Sequence, residues 1–366
     1  MRRIAILTLT LASSLALAAQ QIQVRDPLAS ITPVSVRQAE LKTTTDPMLL
    51  AAIHNLRSCA SMPLVAPPTG RMIIPHHYLS GSSGPINPAE AVAQKVYVDF
   101  EKRVDAGMNE YLATGSHKEA ACALDQMDAW AKAGALLNYD RDESQQAWFE
   151  VEWVLSGIGI SNSVLVNDKT LDHAEQKRVT AWLDTAAHKS IAFERPGDTQ
   201  NNHHYWRALH AVAIGVAASD NELFQFGVAA YKQAVAEIDA NGAFPKEMAR
   251  HENALGYQGF ALEPLILIAQ LASRQGIDLY AYQANGRTIR DAVIFFGKAL
   301  ENPDLIKAYT AEPQTEIKMT NERFADMPFY AAHLGLSGLP NILVSSLQHP
   351  LDAERLGGET ALLAGK

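Results

Sequence analysis

Cysteine is nearly absent: Cys59 and Cys122 are the only two in 366 residues. No CxxC exists, so thiolate zinc sites and dithiol redox chemistry lose their usual signature. Phosphate-binding and dinucleotide fingerprints are missing as well, and no GxSxG marks a serine hydrolase. Histidines are present, but HENAL (251–255) has leucine where a HExxH zinc motif needs its second histidine. Basic excess is lacking too. A net charge of -9 argues against nucleic acid, although a local basic cleft on an acidic protein still suits a polyanionic ligand.

What is present begins with an export signal. Arg2 and Arg3 precede an apolar run from Ile4 to Leu17, and Ala16-Leu17-Ala18 suits cleavage, giving residues 1–19 as signal peptide. That run is short for a membrane span, and no cysteine follows it to carry a lipid. The expected location is the periplasm, with no membrane anchor after cleavage. No other stretch reads as a membrane span. In an exported chain the lone pair Cys59 and Cys122 is expected to form one disulfide.

Residues 20–37 read as an extended leader, and 62–89 as a second irregular stretch, stiff with proline at its start and Ser/Gly-rich at its end. Beyond residue 90, apolar residues recur at three and four over eight or more segments, with turns such as SDNE (219–222) and DANGAFP (239–245) between them. Alternating strand patterns are missing. The prediction is an all-α fold: one domain over residues 20–366, with antiparallel helix pairs in an incomplete α/α toroid. The Ala- and Gly-rich segment 208–218 suits its inner ring, and 301–323 reads as a long loop.

Two segments carry candidate chemistry. TQNNHHYWRALH (199–210) concentrates hydrogen-bonding side chains where an apolar helix begins. His203 falls in or beside the first turn, where free amides and the helix dipole favour an anion and a neutral imidazole. Asn202 can donate its amide to the same anion. An N-cap with a structural histidine accounts equally well for the asparagines and histidine taken alone. In FPKEMARHENALGYQ (244–258), Arg250 and Tyr257 are seven apart and are expected on one helix face, with Ala254 leaving room between them. That pair could grip a carboxylate beside a phenol. Paired carboxylates for glycoside hydrolysis are invisible in one sequence and stay open.

These segments resemble the alginate lyases of polysaccharide lyase family 5. NNHHYW is similar to that family's NNHSYW-type motif, and FPKEMAR with NALGY resembles its next catalytic segment. ACALDQMDAWAKAGALL (121–137) resembles its cysteine-bearing helix, and RLGGE (355–359) a short C-terminal motif. The four occur in order and at similar spacing over about residues 59–359. The resemblance implies a periplasmic lyase with an incomplete α/α toroid and neither metal nor other cofactor. It assigns catalysis to Asn202, His203, Arg250 and Tyr257. It places a lid over residues 70–88, where His77 stands in for the family's basic lid residue beside Tyr78. Substrate-binding roles fall to His77, Tyr78, Tyr205, Trp206 and Arg355. The partner expected is a polyanionic polysaccharide, bound by a monomer. Elimination would have Tyr257 move the C5 proton to O4 while Asn202, His203 and Arg250 stabilise the carboxylate, with Arg250 lowering the phenol pKa. Mannuronate and glucuronate share the required syn geometry, so a glucuronan lyase is the alternative within the class. A glycoside hydrolase and a non-catalytic polysaccharide-binding protein are the alternatives outside it.

Overall fold

The computed structural model describes residues 22–81 and 83–365, so the expected signal peptide lies outside the described residues. Two short helices open the chain, α1 (Val34–Lys42) and α2 (Pro47–His54). Residues 34–37 are therefore helical, where an extended leader was expected. The Asp46 carboxylate caps α2 by accepting from the Met48 and Leu49 amides.

Long antiparallel pairs follow: α3 (Pro88–Thr114) with α4 (His117–Lys132), α5 (Gln145–Leu165) with α6 (His173–Ala192), and α7 (Asn202–Ala218) with α8 (Asn221–Glu237). Side-chain caps at Asn87, Ser144, Asp172, Asn201 and Asp220 start α3, α5, α6, α7 and α8. Gly115 ends α3 in the left-handed conformation, which lets α4 turn back after only two residues.

Helices α3, α5 and α7 pack side by side in an inner layer, while α4, α6 and α8 lie outside them. The small residues of α7 permit close approach. A Cβ on Gly227 of α8 would sit 2.2 Å from Val212 Cγ2 and 2.6 Å from the Ala208 carbonyl oxygen. A single apolar core runs through the layers, with Phe100 stacked 3.7 Å from Trp130 between α3 and α4.

The fourth pair departs from expectation. The single helix expected to carry both Arg250 and Tyr257 is broken into α9 (Pro245–Met248), a 3-10 turn (His251–Asn253) and α10 (Ala254–Arg274). His251 at φ 54° is in the left-handed region, which interrupts the helical path. Helix α10 completes the inner layer against α7 and pairs with α11 (Ile289–Glu301). The segment His251–Arg274 is long and apolar enough to span a membrane, contrary to the sequence reading, but most of it is buried in the core.

The predicted loop at 301–323 contains 3-10 turns at Pro303–Ala308 and Asn321–Phe324. Short helices α12 (Met327–Leu334) and α13 (Asn341–Ser346) follow. Strands β1 (Asp352–Ala353) and β2 (Gly358–Glu359) flank a 3-10 turn at 354–356, before α14 (Thr360–Leu363). This last segment packs against α2, α3 and α5, and Arg37 of α1 donates to the Leu362 and Ala361 carbonyls at 2.8 and 2.9 Å. Cys59 and Cys122 form the expected disulfide, tying the segment before α3 to α4. With its ends 63 positions apart in the chain, its restriction of the unfolded chain is worth ~4 kcal/mol.

Candidate active site

The start of α7 is built around buried ions. Asn201 caps the helix by accepting from the His203 amide at 3.3 Å. Asn202 is fully buried. Its backbone N–H donates to Glu247 Oε1 at 2.6 Å and its side-chain amide donates to Glu247 Oε2 at 2.9 Å. Its Oδ1 has no hydrogen-bond partner among the described residues.

His203 lies flat against Phe149 of α5, with ring centroids 3.5 Å apart. Its Nδ1 is 3.1 Å from Glu152 Oε2, and Arg207 holds the other oxygen of that carboxylate. Arg207 also donates to Glu194 at 2.9 Å, and Glu194 in turn pairs with His204 at 2.6 Å. Burial pushes the His203 pKa down, against the opposing pull of Glu152. The imidazole is therefore neutral at rest, as expected for a helix start. With Nδ1–H spent on Glu152, the inferred tautomer presents Nε2 as an acceptor, so only protonated His203 could donate to a ligand carboxylate.

Arg250 sits in the turn rather than on the helix of Tyr257, correcting the shared-face expectation. The break nevertheless brings the two together: the guanidinium lies 3.8 Å from the centroid of the Tyr257 ring. The expected lowering of the phenol is reversed in sum. Burial raises the Tyr257 pKa well above the ordinary value, the Arg250 charge lowers it, and the Tyr78 hydrogen bond raises it further. Tyr257 is consequently a neutral phenol at rest.

The expected lid reaches this phenol. Its Tyr78 pairs with Ile86 as an isolated antiparallel bridge. Tyr78 is buried, its hydroxyl is 3.2 Å from the Tyr257 hydroxyl, and the Asn253 amide approaches the same oxygen at 3.5 Å. His77 stands edge-on to the Tyr78 ring, and its Nδ1 is 2.6 Å from Glu90 of α3. The position proposed to meet a substrate carboxylate thus already faces a protein carboxylate.

Tyr205 and Trp206 are corrected as substrate contacts. They are 1% and 0% exposed, directed into the core against Phe244 and Phe260. Tyr205, two positions past His203 on α7, is rotated away from it, whereas Trp206 lies on the same side one turn deeper and is covered by Phe260. Arg355 lies near the rings of Trp153, Trp206 and Phe260, the last at 5.2 Å, and pairs with Glu322. Phe260 also contacts the Tyr257 ring, which places Arg355 two side chains from the phenol. Sequence reading missed Phe149, Glu152, Arg207 and Glu247. Glutamates inside apolar runs such as WFEVEWV were the available signal, because a carboxylate on an inner helix needs a partner.

Among the described residues, one group has carboxylate and imidazole atoms near enough to hold a metal: Asp184, His188 and Asp220. It lies beside a pocket of about 540 Å³ at the far end of α7 from His203, about 25 Å along the helix. His188 pairs with Asp220 at 2.9 Å, and Asp220 caps α8, so both side chains have structural partners.

Comparison with known proteins agrees with this geometry. The family model described as alginate lyase matches residues 37–306. A polysaccharide lyase of Stenotrophomonas maltophilia is 28% identical over 328 residues, covering 87% of this chain and 94% of its own. An alginate lyase of Pseudomonas aeruginosa is 28% identical, covering 82% of this chain and 85% of its own. The crystal structure of alginate lyase A1-III from Sphingomonas species A1 superposes with a TM-score of 0.86 at 40% identity, covering 94% of this chain and 98% of that one. By sequence, fold and the α/α-toroid arrangement of its helices, the chain belongs to the alginate lyase family.

Proposed function

We propose that this polysaccharide lyase cleaves 1,4-linked polyuronate, mannuronate-rich alginate foremost, by β-elimination in the periplasm. The carrying observation is the phenol of Tyr257 under the Arg250 guanidinium, with the Asn202–His203 helix start supplying a wall. The relatives support the substrate class. Two alginate lyase A1-III structures complexed with tetrasaccharide, a Tyr-to-Phe and a His-to-Ala variant, each superpose with a TM-score of 0.88.

The sugar carboxylate next to C5 must be neutralised before C5 will release its proton. Arg250 supplies charge, Asn202 supplies an amide donor, and His203 donates once protonated. Ionised Tyr257 takes the C5 proton as the C5 electrons form the C4–C5 double bond and the C4–O bond breaks. The phenol then returns that proton to the departing oxygen. In mannuronate and glucuronate the C5 proton and O4 lie on one side, so one phenol performs both transfers. Guluronate has the opposite configuration and would require another base, for which the Nε2 lone pair of neutral His203 is suited. Because Tyr257 is neutral at rest, kcat should rise with pH as its ionised fraction grows.

Polymannuronate, polyguluronate and polyglucuronate should be compared by following the ultraviolet absorbance of unsaturated uronate. Fastest absorbance growth on polymannuronate is expected. Fastest growth on polyglucuronate would move the assignment to a glucuronan lyase. New reducing ends without absorbance would overturn elimination.

A further inference from the structure

Glu247 has no solvent exposure, and both of its oxygens serve one residue, the Asn202 of the site. The neighbouring charged and titratable groups are Lys246 and Arg250 on its own segment, Tyr205 on α7 and Tyr257 on α10. Lys246 is itself paired with Glu237 at the end of α8. An ionised carboxylate only accepts hydrogen bonds, so the Asn202 amide must turn its nitrogen toward Glu247. That leaves Oδ1, a buried acceptor without a partner among the described residues, on the side of the amide not held by Glu247. An arriving sugar carboxylate also only accepts and gains nothing from that oxygen.

We propose that Glu247 is a positioning residue that takes up a proton when polyuronate binds, turning the Asn202 amide so that its nitrogen faces the sugar carboxylate. The inference rests on the reading that Asn202 meets this carboxylate. The backbone N–H of Asn202 keeps Oε1 an acceptor, so the added proton must sit on Oε2. Oε2–H then requires an acceptor, which the amide provides by rotating its Oδ1 inward. Rotation gives Oδ1 the partner it lacked and frees the NH2 for the ligand. The proton comes from solvent, and only hydrogen bonds are exchanged. Burial raises Glu247 to about 7, and the bound anion favours the neutral form further, so neutral pH is where uptake should be visible. Above that pH, affinity should fall by up to about tenfold per pH unit.

The test uses Tyr257→Phe protein, expected to bind with turnover slowed about 10²- to 10⁴-fold, and a mannuronate tetrasaccharide. Calorimetry at pH 7.5 in phosphate and in Tris counts the protons taken up. Uptake approaching one proton per saccharide is expected, together with a protonated-carboxyl band appearing in infrared difference spectra on binding. Adding Glu247→Gln, whose NH2 mimics Oε2–H, should abolish both and flatten the fall of affinity with pH, with saccharide still bound. No uptake and no band in Tyr257→Phe protein would overturn the proposal. So would uptake that survives Glu247→Gln but disappears with His203→Gln, because the proton would then sit on the imidazole. Asn202→Ala separates the underlying reading. If it binds as tightly as its parent, Asn202 does not meet the carboxylate. If it binds at least tenfold more weakly while Glu247→Gln still takes up the proton, only the role of Glu247 fails.

Discussion

The two sides of the site are held in different ways. The α7 side is anchored in depth: Asn202 on Glu247, His203 between Phe149 and Glu152, and Glu152 on Arg207, which also holds Glu194. The lid side rests on fewer contacts, chiefly the Tyr78–Tyr257 hydroxyl pair, the His77–Glu90 pair and one bridge to Ile86. One wall is fixed by buried charges whose separation would be costly. The other is fastened by contacts that a sugar could replace one for one. Pre-organisation is therefore concentrated where charge must be stabilised, and freedom where the polymer must enter.

The strongest test removes the atom on which both sides converge. Tyr257→Phe should lower kcat by about 10²- to 10⁴-fold, with tetrasaccharide affinity nearly unchanged, as seen by steady-state absorbance and calorimetry. A fixed wall implies next that Arg207→Ala, which strands buried Glu152, costs about 3–5 kcal/mol in urea-induced unfolding. A loss under 1 kcal/mol would show that the wall is not held by this ion pair.

The lid should respond less. Tyr78→Phe deletes one neutral hydrogen bond, worth about 0.5–1.5 kcal/mol, so KM should change no more than about tenfold. It also removes an influence that raises the Tyr257 pKa, so the rise of kcat with pH should begin at lower pH. His77→Lys should have the smallest effect, because a lysine ammonium can also donate to Glu90. Only the His77 end of this pair is exposed, Glu90 being buried, so replacing one donor by another is worth about 0.5–1.5 kcal/mol and limits the KM change to about tenfold. A larger change that depends on pH would mean that His77 leaves Glu90 to meet the substrate.

The helix periodicity and the NNHH and Arg–Tyr segments were legible because each depends on neighbours within a few turns, and the cysteine pair because the chain holds only two cysteines. The break at His251 was not. It depends on a positive φ that histidine tolerates, inside a run whose apolar spacing suits a continuous helix. Tyr205 and Trp206 misled for the opposite reason: aromatic rings beside a polar motif suggest a sugar platform, but helical rotation turns Tyr205 away and Phe260 covers Trp206. Glu152 and Glu247 escaped because their partners lie 51 and 45 residues away. Only the folded inner layer brings those separations within hydrogen-bond reach.

The grip of Arg37 on the carbonyls of Leu362 and Ala361 joins positions more than 320 residues apart along the chain. Such a clasp gains nothing until nearly all the intervening helices are in place, so its loop-closure entropy is met late. Helix pairs can form locally and early, but the seam between the first and last elements is set by topology and should close among the final steps. Refolding should accordingly show fast recovery of far-ultraviolet helicity followed by a slower phase. Arg37→Ala should leave the first phase unchanged and accelerate unfolding, since a contact absent from the transition state contributes mainly to the barrier for leaving the native state.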